Sequence, residues 1–184
     1  ETIYCSPQLQ EKMPYLSPYG SEYLKSLKGR IAYLETSRGC PFSCSFCLSG
    51  REENVRFFDT DTAKKELLCL ANSGARTIKL VDRTFNCNIA RAYELFEFII
   101  SKEGEEIPSG VCFHFEVAAD LFDEKTLELL SNAPVGLFQL EVGIQSFNER
   151  ALNEVRRKTD VKKVYEVLKR LIDARNIHIH IDLI

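Results

Sequence analysis

An α/β fold is predicted for this chain of 184 residues, with parallel strands arranged as a partial (β/α) TIM-type barrel that stops after about the fifth strand. Three observations lead there. Short apolar runs alternate four times with stretches of helical period, and a final apolar run follows. Each connection is long enough for a crossover helix, which makes the strands parallel and the crossovers right-handed. Polar residues gather late in each apolar run or just past it, the end at which barrels of this type carry their chemistry. A doubly wound sheet accounts less well for that gathering.

Residues 1–28 contain Pro7, Pro14, Pro18 and Gly20 among several tyrosines, and read as a linker or irregular arm ahead of a core domain over 29–184. The first strand is expected over Ile31–Thr36. Ala63, Leu67, Leu68, Leu70 and Ala71 fall roughly on one face of a helix over Thr62–Asn72, which Gly74 stops. Thr77–Val81 is the second strand. Ile89–Lys102 is a helix with Ala92, Leu95, Phe96, Ile99 and Ile100 inward, and Val111–Val117 is the third strand. Asp123 is placed to cap a helix over Asp123–Leu130. Leu137–Val142 is the fourth strand, Val161–Arg175 a helix with Val164, Val167, Leu168, Leu171 and Ile172 inward, and Ile177–Leu183 the fifth strand.

Composition is that of a globular domain: 45% apolar, 28% charged and a net charge of −3, with no basic face to suggest nucleic acid. The apolar runs fall well short of the roughly 18 residues a membrane helix needs, and no signal peptide is evident. The chain opens on Glu1 and closes inside an apparent strand, so it reads as part of a longer protein. Seven cysteines are many for this length. Three are clustered, which indicates metal binding in a reducing compartment rather than a disulfide scaffold. Cys69 and Cys112, in an apolar helix stripe and a strand, are expected to be small buried hydrophobes.

The clustered three lie in Cys40-Pro41-Phe42-Ser43-Cys44-Ser45-Phe46-Cys47, spaced C-x3-C-x2-C directly after the first strand. Three thiolates from one loop can hold three irons of a four-iron cluster and leave the fourth iron open to a ligand. A zinc knuckle is the competing reading. It would want a fourth ligand nearby, and none stands in 48–60; His114, His178 and His180 are far along the chain.

The run from Glu35 to Gly50 resembles the cluster loop of the radical S-adenosylmethionine (radical SAM) superfamily. Lys79-Leu80-Val81-Asp82-Arg83-Thr84-Phe85-Asn86 and Glu141-Val142-Gly143-Ile144-Gln145-Ser146 are similar to a subgroup that often carries an upstream cobalamin-binding domain. Cobalamin would then belong to the parent protein, outside these residues. The resemblance implies a [4Fe-4S] cluster on Cys40, Cys44 and Cys47, with S-adenosylmethionine chelated at the open iron. It also implies one-electron cleavage to methionine and a 5′-deoxyadenosyl radical. A protein electron donor such as flavodoxin or ferredoxin and a cytoplasmic location follow from the family, while the substrate is not specified.

Site residues carried over by motif are Glu116 as the third-strand acid, Gln145 and Ser146 after the fourth strand, Arg157 toward the methionyl carboxylate and Asp182 near the ribose. A guanidinium suits a carboxylate because two N–H groups bind it at once. The bland alternative for each is an ion pair or a solvated group. Phe46 packs beside the cluster or the adenine, or makes a simple core contact. Many family members have Gly-Gly-Glu after the second strand. Here Asp82 or Thr84 takes that place, or Asp82, Arg83 and Asn86 only fix the turn. His114 and His180 share a face with Glu116 and Asp182, and a hydrogen-bonded core histidine is the expectation for both. The alternative function is a non-catalytic iron–sulfur electron-transfer or zinc-binding module.

Overall fold

The computed structural model describes residues 16–51 and 54–183. Cys5, Pro7, Pro14 and Ile184 lie outside them. A short helix α1 (Ser21–Ser26) precedes β1 (Ile31–Leu34). A two-residue hairpin, β2 (Ser37–Arg38) and β3 (Arg56–Phe57), stands outside the main sheet. Then come α2 (Thr60–Ala71), β4 (Thr77–Leu80), α3 (Ile89–Lys102), β5 (Cys112–Val117), α4 (Glu124–Ser131) and β6 (Phe138–Gln145). The series closes with α5 (Glu149–Glu154), α6 (Val161–Ala174) and β7 (His178–Leu183).

The five main strands pair in the order β1-β4-β5-β6-β7, every pair parallel. Each crossover leads to the adjacent strand, through α2, α3, α4 and then α5 with α6. The order never reverses, as it would at the switch point of a doubly wound sheet. The fold is the expected α/β arrangement, a parallel sheet that matches part of a TIM-type barrel.

Strand alternation divides the sheet into two faces. Ala32, Leu34, Ile78, Leu80, Phe113, Phe115, Phe138, Leu140 and Val142 are buried against Leu67, Leu70, Leu95, Phe96, Ile99, Leu127, Leu130, Val164 and Leu171 of the helices. Phe96 sits at the centre, its ring 5.2 Å from Phe85, 4.9 Å from Phe115 and 5.4 Å from Phe138, all near edge-to-face. On the other face, register places Tyr33, Lys79, His114, Gln139 and His178 side by side in one row. Glu116, Glu141 and His180 form the next row toward the carboxyl ends.

Caps set the helix starts. Asp59 accepts from the Thr62 N–H, Asn88 from Arg91, Asp123 from Thr126 and Asp160 from Lys163. Each satisfies an amide with no partner inside its helix. The Asp59 cap is why α2 begins two residues before the apolar pattern indicates. β6 runs three residues past Val142, because Gly143 and Gln145 keep pairing with Asp182 and Leu183 across an irregular step. Within the expected irregular arm, α1 forms, Leu27 is buried, and Tyr19 and Leu24 pack on the core. Cys69 is corrected: it is exposed, because the buried stripe of α2 runs through Ala63, Glu66, Leu67, Leu70 and Ala71. Cys112 is half-buried.

Candidate functional site

β1 stops at Leu34 because the backbone turns there to meet a buried acid. The Thr36 N–H donates to Asp82 Oδ1 at 2.7 Å, and the Thr36 and Ser37 hydroxyls donate to Oδ2 at 2.6 and 2.7 Å. Arg91 completes the brace, donating to the Thr36 hydroxyl and carbonyl at 3.2 Å and to the Phe58 carbonyl at 3.3 Å. Burial pushes the Asp82 carboxyl above its ordinary range, and the bonds from Thr36 and Ser37 oppose that rise. Asp82 is 1% exposed and does not line the cleft. The Asp82 side chain, expected at the cofactor, instead commits both carboxylate oxygens to the base of the cysteine loop and anchors it.

The loop leaves β2 through Gly39, at φ +102°, where a Cβ would lie 2.8 Å from the Asn54 carbonyl oxygen. Both the backbone conformation and the close approach require glycine. Beyond it, Cys40, Cys44 and Cys47 line one wall of an open cleft. The loop is tied across the mouth by the Ser45 N–H, which donates to the Val155 carbonyl at 2.9 Å. All six cysteines among the described residues are free thiols. Phe46 lines the same cleft at 50% exposure, which removes the core-contact reading.

The segment after β4 ties several strand exits together. The Thr84 hydroxyl lies 3.5 Å from Cys40 Sγ, and Thr84 and Arg83 line the cleft. The buried Asn86 amide donates to the Ala118 carbonyl at 2.8 Å and accepts from its N–H at 3.0 Å, holding the exit of β5. Of the two candidates Asp82 and Thr84, the structure brings only the Thr84 side chain to the cleft.

The far wall comes from β5, β6, β7 and the turn before α6. Glu116, Glu141, Gln145, Arg157 and Asp182 all line it. Glu116 lies 3.5 Å from Lys79 Nζ and 4.0 Å from Arg83, and Glu141 accepts from Lys79 at 3.1 Å and pairs with His114 Nε2 at 2.9 Å. Burial raises the Glu116 carboxyl, with the charge of Glu141 adding and Lys79 and Arg83 opposing. Burial also acts on Glu141, but hydrogen bonds from Lys79 and His114 outweigh it and hold that group below its ordinary range. Burial, seconded by Lys79, lowers His114 and favours its neutral form, so Nε2–H donates to Glu141.

Gln145 adopts φ +71°, and its amide nitrogen folds back to within 2.6 Å of where a Cβ on Gly143 would stand. The Arg157 guanidinium donates to the Gly143 carbonyl at 3.0 Å, lies 4.0 Å from Cys44 Sγ and stacks 4.3 Å over the Phe42 ring. It sits in the turn between α5 and α6 rather than at a helix start. Ser146 does not line the cleft, and its hydroxyl accepts from the Asn148 N–H at 3.1 Å ahead of α5. His114 is a buried hydrogen-bonded histidine as expected. His180 is exposed, 2.6 Å from the Gln139 amide, because β7 lies at the sheet edge.

Lys79, Glu141, Asn86 and Arg91 were not anticipated as site residues. Period-two alternation alone would have found the first two, since Lys79 stands between Ile78 and Leu80, and Glu141 between Leu140 and Val142.

With that cleft in view, the comparisons with known proteins are specific. Residues 34–184 match the model of the radical SAM superfamily. The chain belongs to the radical SAM superfamily. Among curated relatives, one from Methanocaldococcus jannaschii, named provisionally as a methylthiotransferase, is 27% identical over 170 residues, covering 89% of this chain and 36% of the relative. The tRNA-2-methylthio-N(6)-dimethylallyladenosine synthase of Hahella chejuensis is 24% identical over 181 residues, with coverages of 92% and 39%. Among solved structures, the radical SAM methyltransferase TsrM of Kitasatospora setae, with cobalamin and a [4Fe-4S] cluster bound, superposes with a TM-score of 0.69. Its identity is 21%, over 88% of this chain and 32% of that one, which establishes the shared fold. The chain spans about a third of the length of each of these.

Radical SAM enzymes use a [4Fe-4S] cluster and S-adenosylmethionine, and the residues present fit both groups. Free thiols, soft ligands for iron, are arrayed along one wall. Among the described residues no three His, Cys, Asp or Glu side chains converge on a single-ion site. Among the described residues no helix is long and apolar enough to cross a membrane.

Proposed function

We propose that this chain is the S-adenosylmethionine-cleaving core of its protein, with Cys40, Cys44 and Cys47 holding a [4Fe-4S] cluster. When bound, the cluster supplies the electron that opens the sulfonium of S-adenosylmethionine to methionine and a 5′-deoxyadenosyl radical. The observation that carries this reading is the shared cleft: three thiols on one wall face Glu116, Gln145, Arg157 and Asp182 on the other.

Each residue has a task suited to its chemistry. Arg157 is already oriented by Gly143 and Phe42, and presents its cation beside the thiol wall, where it pairs with the methionyl carboxylate. Glu116 accepts hydrogen bonds from the cofactor's polar groups, and Gln145 offers an amide from a fixed strand end. Asp182, last in the row of strand termini, accepts from ribose hydroxyls. Phe46 offers an exposed ring to the adenine, and the Thr84 hydroxyl, which donates to the Arg83 carbonyl at 2.8 Å, stands 3.5 Å from Cys40 Sγ. The Asp82–Thr36–Arg91 brace acts at one remove, by fixing where the loop begins.

A protein donor such as flavodoxin or ferredoxin, in a reducing cytoplasm that keeps the thiols free, completes the reading. The relatives' names support methyl or methylthio transfer as the downstream class, with cobalamin held elsewhere in the parent protein if it is used. Anaerobic reconstitution tests the site: about four irons and four sulfides per chain are expected, against a large loss in Cys44→Ala. Zinc without sulfide in protein purified under anaerobic conditions would overturn the proposal in favour of a structural metal module.

A further inference from the structure

We propose that Lys79 is a positioning residue for the cofactor site: its ammonium, held between Glu116 and Glu141, keeps these neighbouring carboxylates together and presents an ionised Glu116 to the cleft. The inference rests on the reading of Glu116 as a cofactor contact. It concerns a side chain that does not line the cleft itself, although both of its partners do.

Three strands converge on the arrangement. Glu116 of β5 and Glu141 of β6 are register partners, so they stand side by side on one face. Two carboxylates so placed resist being ionised together, and one is driven to hold a proton. Lys79 of β4 reaches across β5 to both, at 3.5 Å from Glu116 and 3.1 Å from Glu141. The division is unequal. Glu141 takes the shorter contact and also receives His114, whereas Glu116 has Lys79 and a more distant, largely solvated Arg83. Glu116 is therefore the member that loses its charge when Lys79 is removed, in keeping with the directions in which the two carboxyls are displaced.

The other groups facing this pair are few among the described residues. His114 on β5, which burial pushes toward its neutral form, already pairs with Glu141, and His180 on β7 stacks 6.4 Å from His114. Asp182 on β7, Arg157 before α6 and the thiols of the cysteine loop stand around the cleft. None of them replaces an ammonium that touches both acids.

The test is the pH profile of S-adenosylmethionine affinity, read by equilibrium dialysis on the cluster-loaded protein from pH 6 to pH 8.5. Lys79→Met raises the Glu116 pKa, so the acidic arm loses affinity. About tenfold weaker binding at pH 6 than at pH 8 is expected, against a flat wild-type profile. Lys79→Arg restores the flat profile, and so does Lys79→Met combined with Glu141→Gln, because the repulsion is then gone. A loss in Lys79→Met that is flat with pH and persists in the double variant would overturn the inference. If Lys79→Met takes up no cluster, Glu141→Gln is compared with the double variant: affinities within about twofold support the inference, and a further pH-flat loss in the double variant overturns it. Glu116→Gln separates the two readings. Wild-type affinity in that variant would defeat the cofactor role of Glu116 itself, whatever Lys79 does.

Discussion

Along β5, Phe113, Phe115 and Val117 enter the helix-packed core, while His114 and Glu116 between them face the cleft side. β6 repeats the pattern, with Phe138, Leu140, Val142 and Ile144 inward and Gln139, Glu141, Gly143 and Gln145 on the opposite face. Parallel strands covered on both faces usually read as continuous apolar runs, and the interior of a complete barrel is filled by bulky branched side chains. Here only the helix side follows those rules. The cleft side carries carboxylates, imidazoles and a lysine, whose burial is compensated by pairing with one another. The difference assigns stability to one face and chemistry to the other, from the same two strands.

That division can be broken by substitutions on each side. Phe115→Ala removes a ring in contact with Phe85, Phe96 and Phe138 and should cost about 3–5 kcal/mol in chemical denaturation. The folded fraction should bind S-adenosylmethionine as the wild type does. A cost under 1 kcal/mol would show that the helix side is not the main source of stability. Asp82→Asn strikes between the two faces, leaving an amide where Thr36 and Ser37 donate to a carboxylate. It should cost about 1–3 kcal/mol and lower iron loading at the cysteine loop. Normal iron loading in a destabilised protein would separate the brace from the site.

The smallest effect is expected at a surface cap. Asp59→Ala removes the acceptor for the Thr62 N–H and should lower Tm by about 2–4 °C at pH 7. The Thr62 backbone and side-chain bonds hold the Asp59 carboxyl below its ordinary value, so the folded state favours the ionised form. Its contribution is present at neutral pH and disappears as the pH falls through the folded pKa. The difference between variant and wild type should thus vanish in strong acid.

Much of this was legible in the sequence because it is local. Apolar period marked all five main strands, and Asp123 was read as a cap from its place before the periodic run. The cysteine spacing pointed to its chemistry without any knowledge of the fold. What escaped depends on contacts between distant segments. Asp82 looks like a cleft residue until Thr36 and Ser37, more than forty positions earlier, are seen to occupy its oxygens. The Lys79–Glu116–Glu141 cluster exists only through the register of three strands. α5 has no counterpart in the expected elements, and β6 carries on past the apolar run to Gln145, where a positive φ turns the chain. Cys69 shows a related limit, since a helical stripe a single position wide decides whether a thiol is buried or exposed.

The central claim is that the thiol wall and the acid wall form one site in which S-adenosylmethionine is opened. The most direct measurement is anaerobic incubation of the cluster-loaded protein with S-adenosylmethionine and a strong one-electron reductant, with 5′-deoxyadenosine and methionine quantified by mass spectrometry. Equal amounts of both products are predicted from the wild type, with none above background from Cys44→Ala. Cleavage by Cys44→Ala at the wild-type rate, or no 5′-deoxyadenosine from wild-type protein carrying its full iron and sulfide, would contradict the account.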